Sequence, residues 1–182
     1  MRVELFEPIV PFDEAYGELM RWQLAQNPRW RLHATALGAQ EGEASIYIPE
    51  KAHGSSLIAS DYVKTNWRAV TVPVKTMDGL IARGGLPVPD VLKADVQGYE
   101  LEVLKGGERQ LGKVKALILE TWLSRGYGPQ TPLLEEIMAW LTPRGFVVAE
   151  INGGYRDKAG HMRSVDAFFV HQDITERLGI RR

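Results

Sequence analysis

The second half of the chain alternates short apolar segments with amphipathic ones, and this alternation constrains the fold more than any other feature. Val91 to Asp95 and Ala116 to Leu119 are apolar-rich runs of the length of buried strands. Leucines on one helical face predict a helix that begins near Glu100. A second helix is predicted to start at Thr131-Pro132 and to stop at Pro143 and Gly145. Strands that alternate with helices form a parallel sheet covered on both faces, so the sequence predicts an α/β fold.

Other segments extend this pattern toward the beginning of the chain. A strand over Val3 to Phe6 is followed by a helix that starts near Phe12 and ends before Pro28. Further strands are predicted over 30–36, 44–48 and 70–74. Pro73 indicates an edge position for its strand because proline has no N–H to donate. Residues 49–68 are polar and predict a long exposed loop.

The last two predicted strands, Phe146 to Ile151 and Val165 to Val170, are separated by a polar segment and not by a helix. Without a crossover helix, neighbouring strands pair in opposite directions. We therefore expect an antiparallel hairpin at one edge of the sheet.

Composition narrows the class of protein. The 182 residues, 45% of them hydrophobic, suit one domain over 1–182, and no repeat divides them. With 22 Lys and Arg against 23 Asp and Glu, no basic surplus favours nucleic acid. The absence of cysteine excludes disulfides, thiolate zinc sites and cysteine nucleophiles. No signal peptide or membrane-spanning segment is recognisable, so we expect a cytoplasmic protein without membrane contact.

Candidate functional residues follow the predicted strands, because ligands of open α/β sheets bind beyond the carboxyl ends of the strands. Four polar residues occupy such positions: Glu7, Asp95, Gln97 and Glu120. Glu7 could accept hydrogen bonds from both hydroxyls of a nucleotide ribose, or it could be a solvated acid that starts a turn. Asp95 could bind a cation or accept a proton from a substrate hydroxyl, whereas Glu100 resembles a helix cap.

Two other kinds of site have weaker sequence support. Ser55 and Ser56 lie near His53, but no nucleophile-elbow motif surrounds them, and the isolated histidines lack the spacing of metal ligands. Gly126-Tyr127-Gly128 follows a predicted strand, and Glu150 ends the next one, as in nicotinamide-nucleotide sites. Nicotinamide binding therefore stays an alternative.

One segment resembles a known family. The sequence Leu92 to Gly107, L-K-A-D-V-Q-G-Y-E-L-E-V-L-K-G-G, is similar to the signature of FkbM-type S-adenosylmethionine-dependent methyltransferases. Other family-like segments occur in the same order along the chain: Val3 to Pro8, Ala36 to Gly38, Ser55 to Leu57, and Val74 to Asp78. Ordered matches over most of the chain are more specific than a single motif.

The resemblance implies a class I methyltransferase fold, a Rossmann-like three-layer sandwich with seven strands, mostly parallel, and an antiparallel C-terminal hairpin. It also implies S-adenosylmethionine as cofactor and methyl transfer to a hydroxyl of a small-molecule or glycan acceptor. Carried over by residue, Glu7 and Pro8 would bind the cofactor ribose, Ala36 and Leu37 would border the adenine, and Asp95 would face the methionyl end.

The catalytic roles are also implied by the resemblance. Asp95 would be the base for the acceptor hydroxyl, and His53 would be the second candidate for that role. Gln97 stands where the family has Glu, so one negative charge is removed near the methyl-transfer position while an acceptor oxygen is kept.

The first part of the family pattern has no counterpart in this sequence. Family members have a first strand and a glycine-rich loop before the segment that opens this chain, and that strand lies in the middle of the sheet. We therefore expect the strands at Val3 and Val91 either to pair directly or to leave a gap or a position for another chain. The alternative function is that of a noncatalytic binding module with this fold. A homo-oligomer is a further expectation.

Overall fold

The computed structural model describes residues 1–50 and 54–177. The strands are β1 (Val3–Phe6), β2 (Trp30–His33), β3 (Ala36–Leu37), β4 (Gly42–Ile48), β5 (Arg68–Lys75), β6 (Val91–Ala94), β7 (Ala116–Trp122), β8 (Phe146–Gly153) and β9 (Ser164–His171). The α-helices are α1 (Glu14–Gln26), α2 (Asp61–Asn66), α3 (Met77–Ala82), α4 (Glu100–Lys105), α5 (Glu108–Leu111), α6 (Leu134–Leu141) and α7 (Gln172–Arg177). None of the helices in the described ranges is long and apolar enough to cross a bilayer.

The strands of the described residues form three sheets and not one continuous sheet of seven. Their orders are β1-β2, β3-β5-β4 and β6-β7-β9-β8. The pairs β1-β2, β3-β5 and β6-β7 are parallel, whereas β4-β5, β7-β9 and β8-β9 are antiparallel. The predicted C-terminal hairpin is thus confirmed, with β8 at the edge of the four-stranded sheet.

The larger apolar core lies against the four-stranded sheet. Alternate residues of β7 and β9 point into it, and Leu117 stands opposite Phe169, both almost fully buried. Helices α4 and α6 cover this face with Leu104 and Ile137, which are also fully buried. The same alternation turns Glu120 to the opposite face of β7.

A smaller apolar core holds the three-stranded sheet. It consists of Ile9, Ala36, Ile46, Ile48, Val72 and Val74. Ala36 pairs with Val74 in a short parallel ladder, so this core fixes the position of β3.

The position of β5 differs from the prediction made from Pro73. The strand lies between β3 and β4 and is not at an edge. Pro73 is opposite Glu43 of β4, but the ladder with β3 covers only Val74 and Lys75. A proline is tolerated in this central strand because the second ladder begins only after it.

Three predicted segments have a different secondary structure. The strand predicted over 30–36 is divided into β2 and β3, which lie in different sheets. The polar stretch 49–68 contains α2, because the Ser60 side chain accepts a hydrogen bond from the Val63 N–H and caps that helix. The helix predicted from Glu100 is divided into α4 and α5 by two glycines. A Cβ at Gly106 would lie 2.0 Å from the Gly38 carbonyl oxygen, so the break follows from close backbone packing.

Strands β1 and β6 do not pair, and within the described residues no strand lies between them. Both instead line one cleft of about 1180 Å³. The expected gap between the strands at Val3 and Val91 is therefore present.

Candidate functional site

The cleft between β1 and β6 collects the predicted site residues. It is lined by Glu7, Pro8, Ala36, Leu37, Asp95 and Gln97, among others. These residues come from three segments far apart in the sequence, and each segment follows or forms a strand. His53, the remaining predicted catalytic residue, lies outside the described residues.

Glu7 directly follows β1 and is half-buried. Its backbone N–H donates to the His33 carbonyl, which continues the β1-β2 ladder by one residue. Its carboxylate accepts from the Ile9 N–H at 3.3 Å and from the Tyr16 hydroxyl at 3.1 Å. Burial raises the pKa of the Glu7 carboxyl, and the two donors partly oppose that shift. The carboxylate is thus aimed by two fixed donors and is not a solvated turn residue.

Ala36 and Leu37 form an apolar wall of the cleft. Both are buried in β3, and Ile46 of β4 lines the cleft beside them. After β3 the chain turns at Gly38, whose N–H donates to the Lys75 carbonyl. Such a wall excludes water and suits the flat face of an aromatic ring.

Asp95 follows β6, and each of its carboxylate oxygens has a donor. Lys93 Nζ lies 3.1 Å from Oδ2, and Gln97 Nε2 lies 2.7 Å from Oδ1. The side chain is 41% exposed, so it remains accessible from the cleft. A carboxylate in this position can pair with a ligand ammonium or accept a proton.

Gln97 occupies a backbone conformation that residues other than glycine rarely adopt. Its φ is +56°, and the following Gly98 has φ +95°. Ser56 Oγ donates to the Gln97 carbonyl at 2.7 Å, and the Tyr127 hydroxyl donates to Gln97 Oε1. Strained residues at ligand sites persist when the surroundings hold them in place, as these contacts do.

Glu100 has a larger role than the predicted helix cap. Its side chain is fully buried, and Oε1 accepts from the N–H groups of Val96 and Gly98 at 2.9 and 3.2 Å. Burial, together with the nearby Glu120 carboxylate, raises the pKa of Glu100 to about 7. Glu100 therefore holds the turn that carries Gln97, a role that sequence spacing alone did not indicate.

Glu120 lies beside Asp95 and within β7, which continues to Trp122, so it does not follow its strand as predicted. Ala94 pairs with Leu119, so the next residues along the two chain segments are neighbours. Glu120 Oε1 accepts from Ser164 Oγ at 2.9 Å, and burial is the main cause that raises the pKa of this carboxyl. Glu120 is thus a less exposed carboxylate next to Asp95, but it is not among the described residues that line the cleft.

The alternative sites lack the geometry that their chemistry needs. Ser56 Oγ donates to the Gln97 carbonyl and accepts from the Ile58 N–H at 3.0 Å, which is a structural role and not that of a nucleophile.

The glycine motif after β7 was the other alternative site. Gly126 packs against the Trp122 ring, where a Cβ would lie 2.6 Å from a ring carbon. At the start of α6, the Leu133 N–H donates to Glu136 at 2.7 Å, so that N–H is not available to a phosphate. Gly126 is thus explained by packing and Gly128 by its φ of +149°, and nicotinamide binding is not favoured.

Residues that fit S-adenosylmethionine line this one cleft. Glu7 offers carboxylate oxygens to a ribose, Ala36 and Leu37 offer an apolar surface to a purine, and Asp95 offers a negative charge to an ammonium group. The cleft of about 1180 Å³ also extends along β1 and β6, where Val3 and Val91 line it.

Comparisons with known proteins give a consistent result. A sequence model of the methyltransferase FkbM domain matches residues 3–148. Over 103 residues the chain is 41% identical to hexuronic acid methyltransferase AglP of Haloferax volcanii, covering 55% of this chain and 40% of that protein. Over 53 residues it is 47% identical to methyltransferase sdnD of Sordaria araneosa, covering 29% of this chain and 20% of that protein. The chain thus spans less than half the length of these relatives.

A solved structure shows the same fold. The methyltransferase FkbM of Methylobacillus flagellatus KT superposes with a TM-score of 0.50 at 18% identity, covering 93% of this chain and 36% of that one. This similarity concerns the fold and confirms the expected class I, Rossmann-like architecture. Since the family model covers most of the chain, the protein belongs to the FkbM methyltransferase family.

Proposed function

We propose that this domain binds S-adenosylmethionine in the cleft between β1 and β6 and transfers its methyl group to a hydroxyl of a sugar or natural-product-like acceptor. The observation that carries the proposal is the convergence of Glu7, Ala36 and Asp95 on one cleft. Membership in a methyltransferase family supports the reaction class. The name of the relative AglP, a hexuronic acid methyltransferase, supports a carbohydrate acceptor.

In this proposal, one part of the cleft binds the nucleoside of the cofactor and another part holds the proton acceptor. Glu7 accepts hydrogen bonds from the ribose hydroxyls, and Leu37 with Ala36 excludes water from the adenine. When bound, S-adenosylmethionine supplies an electrophilic methyl group on a sulfonium, so the protein needs mainly alignment and a proton acceptor. Asp95 accepts the proton of the acceptor hydroxyl at a carboxylate oxygen. Gln97 holds that carboxylate by donating to Oδ1.

Calorimetry tests the binding half of the proposal. We expect the 182-residue chain to bind S-adenosylmethionine, and Glu7→Ala to weaken binding by about tenfold, the cost of a hydrogen bond to a charged group. Exposed Glu135→Ala serves as a matched control and should bind like the native chain. A native chain that binds no S-adenosylmethionine at millimolar concentration would contradict the proposal and favour a noncatalytic binding module.

A transfer assay tests the catalytic half. Radiolabelled methyl groups should appear on members of a panel of uronic-acid oligosaccharides and neutral sugars. Asp95→Asn should lower the rate at saturating S-adenosylmethionine by a factor of about 100 or more, the range of a lost general base. An Asp95→Asn variant as active as the native chain would remove Asp95 from the role of base.

A further inference from the structure

The hydrogen bonds of Glu7 leave a defined number of acceptor positions. An ionised carboxylate offers about four lone-pair positions, two on each oxygen. The Ile9 N–H occupies one position on Oε1, and the Tyr16 hydroxyl occupies one on Oε2. With respect to the residues that the structure describes, one position therefore remains on each oxygen. Two acceptor positions on the two oxygens of one carboxylate match a pair of neighbouring hydroxyls.

Tyr16 is held in place independently of Glu7. Its backbone N–H donates at 2.9 Å to Asp13 Oδ1, which caps the start of α1. Its ring packs against the small apolar core that contains Ala36, and it lines the same cleft as Glu7. The phenol hydroxyl thus reaches Glu7 from a fixed helix and a fixed ring.

The Tyr16 hydroxyl stays protonated at this contact, and its hydrogen bond favours the ionised form of Glu7. Burial and the Glu7 carboxylate raise the pKa of Tyr16 to about 12, so the hydroxyl remains a donor at neutral pH. Burial raises the pKa of Glu7, and the Tyr16 hydrogen bond lowers it in part. Removing the hydroxyl would therefore increase the protonated fraction of Glu7, and a protonated carboxyl has fewer acceptor positions.

We propose that Tyr16 is a positioning residue that orients Glu7 so that its two remaining acceptor positions select a ligand with two adjacent hydroxyls, such as an intact ribose. This inference rests on the proposed function, since it concerns how the cleft recognises the nucleoside part of the cofactor. Tyr16 acts through Glu7 and also borders the cleft with its ring.

Calorimetry with the full chain tests the inference without any acceptor. The probes are S-adenosylmethionine, adenosine, the 2′-deoxy and 3′-deoxy forms of adenosine, and 2′,3′-dideoxyadenosine. We expect Tyr16→Phe to weaken binding of S-adenosylmethionine and adenosine by about tenfold and binding of the dideoxy compound by less than twofold. Tyr62→Phe, at a side chain that is 70% exposed, is the control for loss of a phenol hydroxyl. Equal losses for adenosine and the dideoxy compound, or no loss for either, would overturn the inference.

The pH dependence of binding gives a second readout. Affinity for adenosine should fall as the pH drops through the raised pKa of Glu7, and in Tyr16→Phe the fall should begin at a higher pH. Superimposable profiles would contradict a role through Glu7. A purely structural role of Tyr16 would lower affinity without moving the profile.

Binding of deoxyadenosines to the native chain tests the inference even if the Tyr16→Phe variant fails to fold. Both remaining positions of Glu7 should be used, so 2′-deoxyadenosine and 3′-deoxyadenosine should each bind the native protein several-fold more weakly than adenosine. If only one hydroxyl matters, the inference is wrong. If the native chain binds neither S-adenosylmethionine nor adenosine, the proposed function itself fails.

Discussion

The side-chain amide of Gln97 donates a hydrogen bond to Oδ1 of Asp95 across 2.7 Å. The carbonyl oxygen of the same amide accepts from the Tyr127 hydroxyl. Asparagine and glutamine side chains are the neutral groups that present a donor and an acceptor at one end. A glutamate at position 97, the residue type that the family resemblance implies there, could accept from Tyr127 but, when ionised, could not donate to Asp95.

Gln97→Glu should therefore lower the rate of methyl transfer. An ionised glutamate gives no donor to Asp95 Oδ1 and places a second negative charge beside that carboxylate. In a radiolabelled methyl-transfer assay we expect the rate to fall about tenfold, the cost of a hydrogen bond to a charged group. Gln26→Glu at the exposed end of α1 adds the same charge elsewhere and should leave the rate unchanged.

Glu100 should make stability depend on pH. Its pKa is raised from 4.5 to about 7 in the folded chain, so its contribution is fully present below pH 4.5 and is lost as the pH rises through 7. A shift of this size corresponds to about 3 kcal/mol of unfolding free energy. In urea unfolding, Glu100→Gln should show a smaller loss of stability between pH 5 and pH 8 than the native chain.

Exposed Glu135→Gln is the matched control for that measurement and should keep the native pH dependence. Identical pH profiles for the native chain and Glu100→Gln would show that Glu100 is ionised throughout this range in the folded protein.

Gly106→Ala should destabilise the fold strongly. A Cβ there would lie 2.0 Å from the Gly38 carbonyl oxygen, a backbone atom that cannot rotate away. Overpacking of this kind costs about 2 kcal/mol or more, and it displaces the turn that follows Ala36 and Leu37. We expect a lower unfolding midpoint in urea together with weaker cofactor binding.

Gly112→Ala provides a control with nearly the same backbone. Gly112 has φ −63° and Gly106 has φ −66°, but a Cβ at Gly112 meets nothing within 4 Å. Its unfolding midpoint should match or slightly exceed that of the native chain, since alanine loses less backbone entropy than glycine on folding. Comparable losses in both variants would contradict the proposed close packing at Gly106.

Ser56→Ala distinguishes a structural serine from a nucleophile. Ser56 is almost fully buried, and its hydroxyl donates to the Gln97 carbonyl and accepts from the Ile58 N–H. Its removal should cost about 1 to 3 kcal/mol, because two buried backbone groups lose their partner. Thermal unfolding measures this cost. Methyl transfer by the folded variant should persist at a reduced rate, and complete loss of transfer with unchanged stability would argue for a chemical role.

Local sequence patterns predicted most individual elements. Alternating apolar residues indicated β4, a continuous apolar run indicated β7, and the hairpin of β8 and β9 followed from the lack of a helix between them. These signals work because neighbouring residues largely decide whether a segment is a strand or a helix. The predicted strand ends indicated Glu7 and Asp95, and the family resemblance added Ala36 and Leu37. The structure brings these four residues to one cleft.

Partners distant in the sequence could not be found in this way. Tyr16 lies in the helix predicted to start near Phe12, but its hydroxyl donates to Glu7, which follows another element. Glu100 was predicted to be a helix cap, but its side chain is fully buried. That burial results from the packing of α4 in the folded chain, which spacing in the sequence does not show. Tyr127 appeared within a glycine motif and instead donates to Gln97, 30 residues away.

The sequence by itself determined the alternation of strands and helices in the second half of the chain, the family, and the residue types that face the cleft. The tertiary structure alone decided that the strands form three sheets, that β5 is central despite Pro73, and that β1 and β6 face each other across a gap. The physical reason is that periodicity specifies which side of an element is apolar. Strand pairing and the burial of a carboxyl group depend on contacts between segments that are far apart along the chain.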